Sequence, residues 1–436
     1  MKEVYLDHAA TTYLDPRVKE AMDSYWEIEY GNPSSLYRPG RRAKDALDLA
    51  RATIAEILRC KPEELIFTGG GTESINLAIL GTARFYEKPI THNLEPKTSH
   101  GHLITTKIEH HAVLHAMEAL QKEGFEITYL EVDEDGLVDP DDIKKELRED
   151  TILVSIMYAN NEIGTIEPIA EIANVIREFK KKNLKPTTYN PQPPFFHTDA
   201  CQATGALEMD AQKLGVDLLS LNASKMYGPK GVGALFIKKG VRVKPIIYGG
   251  GQENNLRSGT ENVSGIVGFA KAFEIAQKER EAENSRLTRL RDYLIKRLTT
   301  EIPKVVLNGD PIKRLPNNVN VSVLDIEGEA VILYLDAKGI YISTGSACTS
   351  TTLDPSHVIL AIGKPYEYAH GSLRFTLGKR TTLEDLDYVM KVFPEVVEKL
   401  RKISPLNMEM GQDKVSHPEA FAGQGSKVKV GGKNYK

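Results

Sequence analysis

The first 270 residues of this 436-residue chain alternate between short apolar runs and longer amphipathic stretches. The runs are typical of buried strands and lie at residues 64–68, 103–106, 127–131, 151–157, 195–198, 217–221 and 234–237. Helical patterns, such as those at 112–123 and 171–182, separate several of them. Strands joined by helices run parallel and are buried on both faces. The pattern therefore predicts an α/β domain built on a large, mostly parallel sheet.

The pattern changes near residue 265, where a long polar helix over 265–300 leads out of the first domain. Residues 305–400 mix strand-like and helix-like segments, which predicts a smaller α+β domain. We expect the large domain to span residues 15–267 and the small domain to combine residues 1–14 with 268–404. Residues 405–436 form a tail whose end is rich in Gly and Lys and is expected to be disordered.

Two polar, proline-containing stretches interrupt the alternation, at residues 86–102 and 180–194. Each directly precedes a predicted strand. Ligands of open α/β sheets bind beyond the carboxyl ends of the strands. We therefore expect both insertions to lie on the side of the sheet away from the active site.

Charge and composition exclude several classes of protein. The chain has 56 Lys and Arg against 60 Asp and Glu, a net charge of −4, so it lacks the basic excess of direct nucleic-acid binding. No run approaches the ~18 apolar residues of a membrane span, and the N-terminus has no apolar signal core. Cys60, Cys201 and Cys348 are too far apart for a disulfide framework or a Cys-x-x-Cys metal motif. We expect a cytoplasmic protein with free thiols and no metal site.

Two charged residues follow predicted strands. Asp199 ends a buried strand, where a carboxylate is costly without a cation or hydrogen-bond donors. The alternative is a helix N-cap. Lys225 follows another strand, and a desolvated lysine there is suited to imine formation. The alternative is that Lys225 is a solvated loop lysine. Lys230 is expected to be one, because it lies in a turn between Pro229 and Gly231.

A third strand ends in the sequence FTGGGTE over residues 67–73, and a helical pattern follows. The amides at such a helix start suit a phosphate, although no Gly-Lys-Ser/Thr follows as a P-loop would require. An acid, a lysine and a phosphate cradle, each at a strand end, together form the set that pyridoxal 5'-phosphate needs. The combination is more specific than its parts.

Two further motifs bear on the reaction. Cys348 lies among small residues in STGSACTS, which favours an accessible loop nucleophile over a buried core cysteine. A strand gives way to a helix at His110 and His111, and a histidine near a cofactor can stack on it or transfer protons. We expect His110 to have this role and His111 to face solvent.

At this point the sequence resembles the cysteine desulfurases of the IscS/NifS type, within the fold-type I, class-V aminotransferase-like family of pyridoxal-phosphate enzymes. The matching stretches occur in the family's order over nearly the whole chain to about residue 405 and are YLDHAATT (5–12), YGNPSS (30–35), FTGGGTES (67–74), KIEHHAV (107–113), ANNEIGTI (159–166), HTDACQ (197–202), KMYGPKGVGAL (225–235), GGGQENNLRSGTEN (249–262), STGSACTS (343–350) and SLRFTLG (372–378). The STGSACTS form resembles the group with a long cysteine loop. The resemblance implies removal of sulfur from L-cysteine to give L-alanine and a persulfide on Cys348.

The resemblance also implies residue roles. Lys225 would carry the cofactor and take the substrate Cα proton, and His110 would stack on the cofactor ring. The implied cofactor contacts are Asp199 to the ring nitrogen, Gln202 to the ring hydroxyl, and Gly71 and Thr72 to the phosphate, with Thr260 added from the partner subunit of a homodimer. Asn161 and Arg374 would bind the substrate carboxylate, and Asn161 would also lie near the cofactor ring. A sulfur-acceptor or iron–sulfur scaffold protein would receive the sulfur for cluster assembly or tRNA thiolation.

One departure from the family pattern precedes Lys225. The family usually has Ser-Gly-His there, whereas this chain has Asn222, Ala223 and Ser224. The Asn222 amide and the Ser224 hydroxyl can still donate to a phosphate, so we expect altered anchoring rather than its loss. Because of this change, a catalytically inactive assembly platform remains an alternative function for the chain. A selenocysteine lyase also remains possible, whereas an aminotransferase would have no evident use for Cys348.

Overall fold

The computed structural model describes residues 2–87, 100–183, 192–345 and 355–404. Cys348, most of both predicted insertions and the whole tail at 405–436 lie outside the described residues. None of the helices within the described ranges is long and apolar enough to cross a membrane.

The described residues contain twelve strands that form three sheets. The strands are β1 Val4–Tyr5, β2 Leu65–Thr68, β3 His102–Thr106, β4 Glu126–Leu130, β5 Thr151–Ser155, β6 Phe195–Asp199, β7 Leu218–Asn222, β8 Gly233–Ile237, β9 Val305–Leu307, β10 Asn318–Val323, β11 Ile340–Tyr341 and β12 Ser372–Thr376. The seven strands that the alternating pattern predicts all form, with bounds within two residues of those expected.

Twelve α-helices are described in the same ranges. They are α1 Pro16–Glu27, α2 Arg38–Leu58, α3 Gly71–Phe85, α4 His111–Lys122, α5 Pro140–Glu146, α6 Ile169–Asn183, α7 Ala211–Leu214, α8 Val263–Glu301, α9 Gly328–Asp336, α10 His357–Ala361, α11 Tyr366–His370 and α12 Leu383–Ile403. The helix predicted over 265–300 corresponds to α8.

The large sheet has the order β2-β8-β7-β6-β5-β3-β4. All its pairings are parallel except the two made by β8, which runs antiparallel to both β2 and β7. Because β8 alone is reversed among the described strands of this sheet, β2 ends at the same edge as the parallel strands. The expected α/β class with a mostly parallel sheet is therefore confirmed, and the turn after β2 lies at the carboxyl edge.

Helices cover both faces of the large sheet, as the apolar strands require. Phe195 and Phe196 are adjacent in β6 and point to opposite faces. Phe195 packs in a core with α3 and α4, whereas Phe196 packs in a second core with α1, α2, α6 and the first half of α8. Both side chains are fully buried, which fixes the register of this central strand.

A separate core is built around the sheet β12-β10-β9 and contains α12, the second half of α8 and the N-terminal residues Val4 and Leu6. The helix α8 contributes Phe269 and Phe273 to the core of the large sheet and Leu294 and Leu298 to this one. The domain bounds at 15–267 and 268–404 stay a prediction.

Two buried histidines tie neighbouring strands together. His102 in β3 contacts the hydroxyls of Thr151 and Thr128, each at 2.9 Å. His197 in β6 contacts Ser155 at 2.8 Å and Ser220 at 2.9 Å. Burial lowers the pKa of His102 to about 4 and that of His197 to about 3. Both rings are therefore neutral in the folded protein at pH 7.

These lowered pKa values predict acid destabilisation. The unfolded chain binds a proton at each histidine near pH 6.5, whereas the folded chain does not, so stability falls as pH drops from 6.5 towards 4. A shift of the size at His102 is worth up to about 3 kcal/mol. We expect the melting temperature of His102→Gln to fall less between pH 7 and pH 4.5 than that of the wild type. An equal fall in the two proteins would contradict this origin.

Candidate active site

A cavity of about 370 Å³ opens at the carboxyl edge of the large sheet, where the strand-end residues of the sequence prediction meet. Its walls come from the large sheet, from β12 of the smaller sheet and from the N-terminal segment. The lining residues used below are Ala9, Ala10, Gly71, Thr72, His110, His111, Asn161, Glu162, Asp199, Cys201, Gln202, Asn222, Lys225, Gly345, His357 and Arg374. The predicted acid, lysine and glycine turn are therefore brought to one place.

Lys225 reaches this cavity from a single helical turn, Ala223–Lys225, directly after β7. Its Nζ donates to the backbone oxygens of Ala9 at 2.6 Å and Ala10 at 2.5 Å. The competing Lys230 is exposed. The structure thus favours Lys225 as the reactive lysine over its neighbour, as the sequence predicts.

Asp199 ends β6 and is buried, and its carboxylate lines the cavity. One carboxylate oxygen accepts the amide of Cys201 at 2.9 Å. The carboxylate therefore caps the turn that follows β6, as the N-cap alternative predicts, and it also faces the cavity. Gln202 lines the cavity as well, and its amide donates to the Ala9 oxygen at 3.0 Å.

The turn after β2 forms an anion cradle at the start of α3. Gly70 has a φ of +149°, and the next residue begins the helix. A helix start leaves its first amides without carbonyl partners in the helix. A Cβ at Gly71 would lie 2.6 Å from Cys201 Sγ, closer than real atoms approach. Glycine at 71 therefore lets the start of α3 reach the end of β6.

A solvent-open recess adjoins this cradle and is lined by residues 69–73 together with Asn222 and Ser224. The Asn222 side-chain oxygen accepts both the amide and the hydroxyl of Ser224, each at 3.1 Å. Its amide nitrogen lies 3.6 Å from the Cβ position of Gly71. The unusual Asn-Ala-Ser segment thus keeps the Asn222 amide as a hydrogen-bond donor beside the cradle.

His110 caps the N-terminus of α4, with its Nδ1 accepting the Ala112 amide at 3.1 Å. In the neutral ring the proton is therefore on Nε2. Burial lowers the pKa of His110, and Lys225 lowers it further, although Asp199 opposes the shift. The ring that faces the cavity is neutral at pH 7.

His111 lines the cavity, so the expectation that it faces solvent is wrong. Its ring lies 4.8 Å from that of His357 and 5.1 Å from that of His115. Burial and these neighbouring imidazoles lower the pKa of His111 to about 4. The contact with His357, which is 246 residues later in the chain, could not be read from the local pattern.

Arg374 extends from β12 into the cavity and is buried. It donates to the Asn161 backbone oxygen at 2.8 Å and to the Asp7 carboxylate at 2.9 Å. Among the described residues no acceptor lies within hydrogen-bonding distance of its Nε. A guanidinium with a buried, unused donor beside Asn161 is suited to a carboxylate ligand.

Two predicted site residues that the structure describes, Ser224 and Thr260, do not line this cavity. Ser224 lines the adjoining recess, and Thr260 is exposed. Cys348 lies outside the described residues. Sequence reasoning in turn missed the backbone oxygens of Ala9 and Ala10, and it missed Glu162 and His357. Ala9 and Ala10 lie in YLDHAATT, and Glu162 lies in ANNEIGTI. Both stretches match the family, but the sequence assigned no role to these three residues.

The cavity fits pyridoxal 5'-phosphate on the chemistry of its own residues. An amine, a carboxylate and a helix-start cradle surround one space, and the glycine that shapes the cradle has no room for a side chain. A phosphate at the cradle would meet first-turn amides and the positive end of the α3 dipole. The donor set matches the needs of this cofactor.

Comparisons with known proteins agree with this geometry. A sequence profile for aminotransferase class V matches residues 4–389. The chain is 51% identical over 415 residues to "Cysteine desulfurase IscS" of Dictyoglomus turgidum, covering 95% of this chain and 100% of the relative. It is 50% identical over 405 residues to "Cysteine desulfurase IscS" of Methanosarcina thermophila, covering 93% and 94%. A solved structure described as "NIFS-LIKE PROTEIN" superposes with a TM-score of 0.81 at 38% identity, covering 92% and 100%.

The contact between Gly71 and Cys201 predicts how the cradle responds to a methyl group. Gly71→Ala forces the start of α3 away from β6. Overpacking costs about 1–3 kcal/mol, so the Kd of apoenzyme for the cofactor should rise roughly tenfold in an absorbance titration. Adding Cys201→Ala should recover most of the loss. The matched control is Gly205→Ala, whose Cβ would meet Met226 at an ordinary 3.5 Å. Equal weakening by both alanines would refute the argument.

Proposed function

The chain belongs to the class-V aminotransferase family, and from this membership we infer that it is a pyridoxal-phosphate-dependent cysteine desulfurase acting on L-cysteine. The main support from this chain's own residues is that Lys225, Asp199 and the Gly71 cradle line one cavity. The inactive-platform alternative gains no support from the site, because the Asn222–Ser224 change leaves the Asn222 amide beside the cradle.

The residues that would hold the cofactor are those that meet at the strand ends. Gly71 and Thr72 would bind its phosphate through the first turn of α3, with Asn222 and Ser224 beside them. Asp199 would keep its ring nitrogen protonated, Gln202 would meet its ring hydroxyl, and Lys225 would hold it covalently. When bound, the cofactor supplies an electron sink for bonds at the substrate Cα.

The roles towards the substrate follow from charge and position. Arg374 would bind the substrate carboxylate, with Asn161 beside it, because its Nε is buried without a partner among the described residues. The Lys225 amine would take the Cα proton. His110 is neutral with its proton on Nε2, so its Nε2–H would donate a hydrogen bond in the cavity, and the ring would take part in proton transfer only after it had accepted a proton.

Cys348 would accept the sulfur. Its thiolate attacks the substrate sulfur, an S–S bond forms, and the C–S bond breaks with its electron pair left on the substrate Cβ. That carbon takes up a proton, so the products are L-alanine and a Cys348 persulfide. A thiolate nucleophile needs a reducing compartment, which supports a cytoplasmic location.

A homodimer would complete the site, with Thr260 of the partner subunit at the phosphate. The support is an exposed apolar surface at the end of α1 and the start of α2. Trp26, Ile28, Tyr30, Leu36 and Tyr37 are all more than 60% exposed in the isolated chain. Large contiguous apolar surfaces mark interaction sites.

The persulfide sulfur would pass to an acceptor or iron–sulfur scaffold protein, for cluster assembly or tRNA thiolation. The net charge of −4 supports transfer through a protein rather than direct binding of nucleic acid.

The reaction is tested by the visible spectrum of the purified protein before and after L-cysteine, with alanine and persulfide assayed in the same sample. We expect a band that shifts with L-cysteine, and alanine release that Cys348→Ala abolishes while the spectral shift remains. Cys60→Ala, in the turn after α2, is the matched control and should turn over normally. Alanine release by Cys348→Ala at the wild-type rate would exclude this mechanism.

Shared sites in a dimer predict complementation. Lys225→Ala and Thr260→Asp homodimers should both be inactive or severely impaired. A heterodimer with one mutation on each subunit keeps one site intact, since Lys225 of one subunit and Thr260 of the other are both native. Co-purified, differently tagged heterodimers should therefore recover up to about half of wild-type turnover. If Thr260 serves its own chain, no activity returns.

A further inference from the structure

Glu162 is a buried carboxylate that lines the cavity, and the roles above do not use it. It follows Asn161 in the stretch after β5 and is only 2% exposed. An ionised carboxylate at such a position is costly unless its partners are specific. Its described contacts therefore indicate what it does.

The backbone at Glu162 is held on both sides. Its amide donates to the side-chain oxygen of Asn160 at 2.8 Å. Its carbonyl oxygen accepts the side-chain amides of Asn318 at 3.0 Å and Asn320 at 3.1 Å, both from β10. These three hydrogen bonds join the stretch after β5 to β10 and fix the backbone position from which the Glu162 side chain extends.

The carboxylate contacts two residues that flank segment 346–354 in the chain. Oε2 accepts the hydroxyl of Ser356 at 2.5 Å. On the other side, a Cβ at Gly345 would lie 2.3 Å from the same oxygen. A side chain at 345 would therefore displace this carboxylate oxygen from its present position. One oxygen atom thus meets the residue before the segment and a residue just after it.

Ser356 is itself well placed to transmit this contact. Its hydroxyl oxygen also accepts the amide of Ile359 at 3.2 Å and caps α10. The next residue, His357, contacts the Glu109 backbone oxygen through Nε2 at 3.0 Å. Two successive residues after the segment are therefore held, Ser356 by Glu162 and His357 by Glu109.

We propose that Glu162 is a positioning residue that fixes the separation and direction of the two ends of segment 346–354, and so sets where Cys348 can reach. The proposal rests on the proposed function, since it assigns Cys348 the role of sulfur acceptor. Glu162 acts through Gly345 and Ser356 on the sulfur-transfer step, and substrate capture remains with Arg374 and Asn161.

The test separates substrate binding from sulfur transfer in the holoenzyme. We expect Glu162→Ala to lower the single-turnover rate of persulfide formation at least about tenfold, as loss of a charge-assisted hydrogen bond implies. The L-cysteine concentration that gives half of the cofactor spectral shift should change less than about twofold. Glu162→Gln keeps an oxygen acceptor for Ser356 and should recover most of the lost rate.

Two further variants distinguish positioning from damage to the fold. Ser356→Ala should slow persulfide formation as Glu162→Ala does, and the double variant should be no slower than either single one. Asp210→Ala removes the N-cap of α7, away from the cavity, and controls for the loss of a helix cap. It should leave the persulfide rate unchanged.

The outcomes separate this proposal from the function on which it rests. If wild-type enzyme releases no alanine, the proposed function fails. If wild-type turns over and Glu162→Ala forms persulfide at the same rate, the positioning role is wrong. A loss of the spectral shift in Glu162→Ala, or additive effects of the Glu162 and Ser356 variants, would also overturn it.

Discussion

The close contact between Gly71 and Cys201 is the constraint on which the site depends. It lets the first turn of α3 lie against the end of β6, so the phosphate cradle and Asp199 share one cavity. The reversed strand β8 contributes to the same approach. Gly233, where β8 begins, pairs with both Thr68 and Asn222, and a Cβ there would lie 2.6 Å from the Leu221 oxygen. Two glycines thus bring three chain segments together without side chains between them.

The cavity has a definite division of charge. Lys225, Arg374, Asp199 and Glu162 place charge-bearing groups around it, whereas burial holds His110 and His111 in their neutral forms. Arg374 is balanced by Asp7 from the N-terminal segment at 2.9 Å. The anionic ends of a cofactor and a substrate therefore have separate binding groups, the α3 cradle and Arg374. The neutral imidazoles of His110 and His111 add no further charge to this cavity.

Much of this arrangement could be predicted from the sequence, because a strand buried on both faces appears as a continuous apolar run. Asp199 and Lys225 follow such runs, so their meeting at one edge required only that the strands be parallel. The contacts of Lys225 with Ala9 and Ala10 could not be predicted in this way, because they join residues more than two hundred positions apart. The contact between His111 and His357 could not be predicted for the same reason, and the local pattern wrongly placed His111 towards solvent. The domain bounds, Thr260 of the partner subunit and the role of Cys348 stay predictions.

The length of helix α8 limits which insertions and deletions the chain can tolerate. Its 39 residues extend about 58 Å without interruption, and both main cores pack against it. A helix turns by about 100° and advances about 1.5 Å for each residue. One residue gained or lost between Ala276 and Leu287 would therefore rotate the β12 sheet, with Arg374, around to another side of the large sheet. A substitution in this stretch changes single contacts, such as those of Glu279 with Arg17 and Lys379, whereas a change in the length of the chain would cost the whole active site.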